Sequence, residues 1–326
     1  MFLFGRRPDG KKVKGLDGVT RFMPHIMPNR EGSTNYLVIT IPVDPIEEYI
    51  AAKKTEGIEL NFRDVAIALL VRWFKIRPKL NRFIVAGRYY QRNHVDFSMM
   101  VHKNLRTGEN ETVVKMRFSG DENMLEIKQQ IDAKFEEAIV STNNADEFSG
   151  SILKLPHFLN RFVGFWVKIL DRWGMLTDKF LRDTSPFHSS IFFSDMKSIH
   201  MDYIHHHLYN FGTCSFFAAL GKEKYIPVVD QKTGELSSQK VVELGISVDD
   251  RSADGLYWAQ SLRKMYRMID NLSCLDRAPT EGEISRIRTP KEIKAERKKL
   301  HSERKMARKK AKREFKKTKR ESGKAK

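Results

Sequence analysis

Val248-Asp249-Asp250-Arg251-Ser252-Ala253-Asp254-Gly255 is the stretch on which the fold turns. Before it runs Val241 to Val248, branched and apolar, which reads as a strand. After it comes Leu256 to Leu272, which reads as the last globular helix. Gly255 allows a tight turn into that helix. A carboxylate of ordinary pKa is a weak base at neutral pH, whereas an imidazole titrates there. Burial would raise Asp250 toward neutrality, and Asp249 beside it and Arg251 after it push in opposite directions.

Working outward, Tyr36 to Val43 reads as a strand closed by Asp44-Pro45, with a helix over Ile46 to Lys54. Asn61 is the expected N-cap of a helix whose Val65, Leu69, Val71 and Trp73 supply near-helical spacing, and Pro78 ends it. Arg88-Tyr89-Tyr90 and Val95 to His102 are expected to pair as strands, and Thr112 to Phe118 continues the alternation. Glu122 to Val140 is the next helix, Ser141 to Ser149 a polar break, and Leu155 to Leu181 an aromatic helix. Ile191 to Phe193, Ser215 to Leu220 and Tyr225 to Val229 read as strands.

Strand and helix runs alternate without an evident linker, which predicts one α/β domain over residues 35–288. Within it the aromatic segment, about 150–185, reads as a helical insertion. Residues 1–34 read as an N-terminal arm and 289–326 as a basic tail, disordered or a solvated helix. Of the formal charge of +18 on 326 residues, the tail carries +13 through 13 Lys and 5 Arg against 5 Glu. Cys214 and Cys274 lack metal-ligand spacing and imply free thiols. Charges at Arg161, Lys168, Asp171 and Arg172 argue against a span of the membrane, so the reading is of a soluble, cytoplasmic protein.

Six blocks, in order, resemble the catalytic domain of the dihydrolipoyl acyltransferases of 2-oxoacid dehydrogenase complexes, a chloramphenicol acetyltransferase-like family. Val43-Asp44 resembles the end of V-E-V-D, and Ile76 to Phe83 resembles A-x-x-H-P-x-L-N-A-x through Pro78, Leu80 and Asn81. Val95 to Val101 resembles V-x-I-G-V-A-V, Ser190 to Met196 resembles F-T-I-S-N-L-G, and Phe216 to Gly221 resembles V-A-I-L-G. Asp249 to Gly255 resembles D-H-R-x-x-D-G with Asp250 where the family has its catalytic histidine. No lipoyl-like domain or peripheral-subunit-binding domain is recognisable, which suggests a free-standing form. The resemblance implies a two-layer α/β sandwich with a mixed sheet, assembled as a homotrimer with sites at subunit interfaces. It further implies coenzyme A or an acyl-coenzyme A as substrate.

The same resemblance assigns Ser194 to the serine that hydrogen-bonds the oxyanion, although Asp195 and Lys197 depart from the pattern and add charge. Asp254 matches the aspartate that orients the active-site loop through an arginine, and Arg251 matches the arginine after the histidine. For the missing base, His205-His206-His207 lie between the Ser194 and Phe216 strands, with His200 nearby, and one imidazole, taken as His206, could pair with Asp250. The bland alternative for the three is a polar turn. Adjacent histidines lack the spacing for a shared metal, and none is expected. Two functions follow: acyl transfer with an altered base, or a non-catalytic trimeric binding or scaffold protein, since Asp250 replaces the histidine.

Phe158, Phe162, Trp166, Ile169, Trp173, Leu176 and Phe180 form an apolar stripe with mainly basic residues elsewhere. It is expected to cover the sheet, to build an oligomer interface, or to dock on a membrane surface. The tail, with one aromatic residue, Phe315, suits phosphate-rich partners, nucleic acid or anionic lipid, through charge alone; a solvated extension is the alternative.

Overall fold

The computed structural model describes residues 7–102, 111–140, 154–230, 232–287, 292, 295, 298–299 and 301–306. Contacts divide the chain into two compact units, Met1–Val13 with Val19–Ser285, and Lys14–Gly18 with Arg286–Lys326. In the second unit residues 301–306 are helical and exposed, and most of the tail lies outside the described residues, as do 141–153 of the polar break and insertion.

The strands are β1 (Gly10–Lys12), β2 (Thr34–Pro42), β3 (Arg82–Val85), β4 (Arg88–Arg92), β5 (Val95–His102), β6 (Glu111–Phe118), β7 (Ile191–Asp195), β8 (Phe216–Val229) and β9 (Leu236–Asp249). The helices are α1 (Gly18–Ile26), α2 (Asp44–Thr55), α3 (Phe62–Ile76), α4 (Met124–Val140), α5 (His157–Trp173) and α6 (Gly255–Ile269). A six-stranded sheet runs in the order β2-β9-β8-β7-β5-β6, and a three-stranded one in the order β1-β4-β3. The larger is mixed: β7 lies parallel to both β5 and β8, and the other neighbours are antiparallel.

Alternation decides which face each strand buries. Val114, Met116 and Phe118 of β6 face the main core together with Phe97 of β5, Ile191 and Phe193 of β7, Phe216 of β8 and Ile246 of β9. Helices α2, α3, α4 and α6 complete that core, so one face of the sheet is the helical layer. Helix α3 is apolar nearly all round and buried nearly all round, as its composition requires. Its start is held by a reciprocal cap: Asp64 N donates to Asn61 Oδ1 at 3.0 Å and Asn61 N donates to Asp64 Oδ2 at 3.2 Å. Trp73, in the last turn of α3, is fully buried, its Nε1 donating to Ser261 O at 2.7 Å across to α6.

Two strand expectations are corrected. Arg88-Tyr89-Tyr90 does not pair with Val95 to His102; β4 pairs with β3 and β1, while β5 pairs with β6 and β7. Ala86 and Gly87, at φ 50° and 71°, make a two-residue turn that commits β4 to β3. Likewise, the two strands read on either side of Gly221 are one, β8, with an irregular register between Leu220 and Glu223.

The aromatic stripe of α5 does not cover its own sheet. Phe158, Phe162 and Phe165 are 69, 58 and 58% exposed, and Asp171 is the one buried residue of the helix. The face it would cover is already occupied near its middle by a second apolar cluster of Phe192, Leu208, Cys214 and Phe217. Among the described residues no helix is long and apolar enough to cross a membrane.

Candidate active-site face

Because Ile191 and Phe193 point into the core, Phe192 and Ser194 of β7 point to the face without the helical layer. Register places Ser194 beside Ala219 of β8, which lies beside Gly245 of β9. The Ser194 hydroxyl is partly buried and donates to Met196 Sδ at 3.2 Å. Asp195 at the strand end accepts from Ser198 N at 3.2 Å, and burial pushes its carboxyl up. Lys197 pairs with Glu223 at 2.6 Å and lies over the Phe62 ring at 4.3 Å.

Parallel β7 and β8 need a crossover, and here it is an irregular segment through residues 201–209 instead of a helix. Two glycines let that segment lie against the sheet. A Cβ on Gly245 would meet Ile204 O and Tyr203 Cδ2 at 2.6 Å, and one on Gly221 would meet Tyr203 N at 2.6 Å. The backbone that follows lays His206 flat on Phe217, ring centroids 4.2 Å apart at 6°.

Phe217 pairs with Phe192 and Ser247, two residues before the Ala219 row that holds Ser194. With strands about 4.8 Å apart and about 3.3 Å per residue, Ser194 and the foot of His206 are about 8 Å apart across one face. His206 Nδ1 lies 2.8 Å from His207 O. A carbonyl only accepts, so in the neutral ring Nδ1 carries the proton and Nε2 the lone pair. The partner of His206 is thus a backbone carbonyl and not Asp250. His205 turns elsewhere, between Tyr36 and Tyr203 at 5.3 and 5.4 Å, and His207 is exposed. The three adjacent rings do not share one site: His205 lies apart, while the His207 ring lies 4.5 Å from that of His206 on its exposed side.

The motif turn separates two neighbouring aspartates. Asp249 is fully buried, accepting from Arg251 Nε at 2.8 Å and Nη2 at 2.7 Å, with Arg30 Nε at 3.6 Å. Arg251 Nη1 also donates to Met27 O at 2.6 Å, and Arg30 Nη1 to Tyr209 O at 2.5 Å. Arg251, which matches the arginine after the histidine, is therefore buried. It locks the turn to the N-terminal segment and, through Arg30, to the end of the histidine crossover. Asp250 is partly exposed, and among the described residues its carboxylate has no hydrogen-bond or ion-pair partner. It lies just past the end of β9, three residues beyond Ser247 and about 11 Å from the Phe217 position.

Asp254 is the N-cap of α6, accepting from Tyr257 N at 2.9 Å. Its ion partner is Lys79 at 3.5 Å rather than an arginine. Burial works to raise the Asp254 carboxyl, and the Tyr257 amide and Lys79 ammonium outweigh it, leaving it below the ordinary carboxylate range.

A buried charged cluster had no signal in the sequence. Arg7 donates to Asp9 at 2.8 Å and to Asp171 Oδ1 and O at 2.7 and 2.5 Å, fastening the N-terminal segment to the end of α5. His188 is fully buried, its Nδ1 2.6 Å from Ser185 Oγ and its Nε2 3.2 Å from Asp171 Oδ1. The second contact is close enough for an ion pair but off line for a hydrogen bond. Burial works to raise Asp171, and His188 and Arg7 outweigh it, holding the carboxyl at about 2. Burial lowers His188, which favours the neutral ring. With Ser185 itself buried, this serine, histidine and aspartate act as packing. A cleft of about 480 Å³ lies along β6 and α4, lined by Lys115, Arg117 and Lys134 among others, and by none of the candidate residues.

No family model matches the chain, and no curated protein does. Solved structures do. The cubic core of the pyruvate dehydrogenase multienzyme complex is 12% identical and covers 81% of this chain and 94% of its own, with a TM-score of 0.50. A dihydrolipoamide acetyltransferase of Azotobacter vinelandii is 13% identical over 81% of this chain and 94% of its own, TM-score 0.49. A probable dihydrolipoamide acetyltransferase of Listeria monocytogenes is 15% identical over 81% and 96%, TM-score 0.49. At such identities the likeness is one of architecture: the chain has a mixed-sheet α/β fold like that of the cubic core of the pyruvate dehydrogenase multienzyme complex.

Proposed function

We propose that the chain binds an acyl thioester of coenzyme A over the Ser194 face and transfers the acyl group there, with His206 as the base in place of the motif histidine. The observation that carries this is the His206 ring itself. It shares a face with Ser194, and its Nδ1 contact with His207 O at 2.8 Å leaves Nε2 as an acceptor. Nε2 would take the proton of the attacking thiol or hydroxyl. The oxygen or sulfur then adds to the thioester carbonyl, and the carbonyl electrons move onto oxygen. Ser194 Oγ, now given only to a weakly accepting thioether, turns to donate to that oxyanion. Collapse expels the thiolate, which recovers the proton from the imidazolium. Asp254 positions the turn by capping α6, and Asp249 with Arg30 and Arg251 keeps it rigid. The assembly is proposed to be a homo-oligomer, a trimer on the resemblance, with each site completed by a neighbouring copy.

One observation favours the other reading, a non-catalytic binding or scaffold protein: the histidine position of the motif holds Asp250, partly exposed and unpaired among the described residues. Calorimetric titration with coenzyme A and acetyl-coenzyme A, then thiol release in the same sample, separates the two. Transfer requires turnover that falls in His206→Gln but survives in His205→Gln and His207→Gln, with Ser194→Ala losing about 10²–10³-fold in kcat. Binding without turnover selects the scaffold reading. Absence of binding to either ligand overturns both.

A further inference from the structure

Helix α5 presents to solvent a strip that soluble proteins ordinarily cover. Phe158, Phe162, Phe165, Trp166 and Trp173 are 69, 58, 58, 43 and 41% exposed, and they recur at three- and four-residue spacing. Leu155 before the helix and Met175 after it extend the strip, 39 and 54% exposed. Along one edge of it run Arg161, Lys168 and Arg172, all exposed and placed on one side by the 100° step of the helix. The single acid of the helix, Asp171, is turned inward onto Arg7 and His188. All the charge that α5 offers outward is therefore positive, and it borders aromatic surface.

The short helix α1 repeats this chemistry: Val19, Phe22 and Ile26 are 74, 60 and 61% exposed, Arg21 is exposed, and the helix contains no acid. A second copy meeting α5 strip to strip would bring its three cations toward their counterparts, with no outward-facing carboxylate on either helix to offset them, since Asp171 is turned inward in both. Phosphate headgroups over an acyl layer match both halves of the pattern, since aromatic side chains seat at that boundary and guanidinium and ammonium groups meet the phosphates.

We propose that α5 is a membrane-surface anchor that lays its aromatic strip into the headgroup boundary of an anionic bilayer, with Arg161, Lys168 and Arg172 on the phosphates. The test uses the full chain with phosphatidylcholine vesicles, with and without phosphatidylserine, in a flotation assay paired with quenching of tryptophan emission by brominated lipid. Of the four tryptophans, Trp73 and Trp258 are 0 and 7% exposed, so quenching reports Trp166 and Trp173. The basic tail contains none. The expected result is flotation with the anionic vesicles only, accompanied by quenching. Phe162→Ser/Phe165→Ser, folded as judged by circular dichroism and melting temperature, should lose quenching and weaken partition about ten-fold or more, and Arg161→Glu/Lys168→Glu should do likewise. Three results would each overturn the proposal. One is absence of flotation; another is flotation without quenching, which assigns binding to the charge of the tail. The third is a lipid-free oligomer dissolved by Phe162→Ser/Phe165→Ser in a chain that shows no quenching, which makes the strip an interface between copies.

Discussion

Asp249 and Asp250 stand side by side, and replacing each by asparagine should give opposite results. The Asp249 side chain is 0% exposed, and those of Arg251 and Arg30 are 2 and 4% exposed. Its carboxylate takes two side-chain bonds from Arg251, and its Arg30 contact at 3.6 Å is worth about 4.6 kcal/mol of attraction at an effective dielectric near 20. Asparagine keeps the shape but leaves two buried guanidinium groups with no anion between them. Removing one partner of such a group costs about 3–5 kcal/mol. Asp250→Asn removes a charge without a partner among the described residues and should stay within about 0.5 kcal/mol. With a urea slope of about 3 kcal/mol/M, the first lowers the unfolding midpoint by about 1 M or more and the second leaves it in place. Adding Arg251→Met to Asp249→Asn should recover part of the loss by removing one of the two facing cations. Equal midpoints for the two single variants, or a loss below about 1 kcal/mol for Asp249→Asn, would refute the buried lock.

Three further outcomes are expected. Burial opposes but Arg7 and His188 impose a folded Asp171 carboxyl at about 2 against an ordinary 3.8, so its contribution of about 2 kcal/mol is present above pH 4 and lost as pH falls toward 2; acid titration of Asp171→Asn should lack that decline. Buried His188 resists protonation, so in the parent chain stability should fall as pH drops below the ordinary histidine value of 6.5, and urea midpoints of His188→Gln at pH 7.5 and 5.5 should differ less than those of the parent. Gly245→Ala places a methyl 2.6 Å from Ile204 O and should displace the histidine crossover, read as altered chemical shifts of the His205–His207 rings while the core strands keep theirs.

Much of the architecture was legible because alternation and capping are local. Val114, Met116 and Phe118 announced the buried face of β6, and Asn61 announced the start of α3, where the reciprocal bond from Asp64 bears it out. Strand partners are not local: Ala86-Gly87 is not a strong turn dipeptide in sequence, so nothing in the sequence ties β4 to β3 in preference to β5, yet both residues take positive φ. Buried cations were invisible for a similar reason. Arg7, Arg30 and Arg92 look like surface residues until distant acids and carbonyls surround them. At the candidate site, motif position located the turn, and alternation placed Ser194 on the face opposite Phe193. Which of two adjacent aspartates was locked, and which of three adjacent histidines lay on the sheet, depended on Arg30 and on Gly245, each far away in sequence.

The β8–β9 hairpin is longer than the sheet that holds it. β2 supports β9 only from Val241 onward, and β7 supports β8 only up to Leu220, so among the described residues the pairs from Tyr225↔Lys240 to Val229↔Leu236 have no third strand. Tyr225 and Leu236 there are 72 and 73% exposed, and Pro227 lacks an amide to donate. A two-stranded ribbon is marginal in water. The outer ribbon therefore belongs to a different cooperative unit from the inner one. It can unzip and re-form while the sheet stays folded, and its amides should exchange with solvent through that local opening long before those of Ala218 or Ile246, whose release waits for the whole domain.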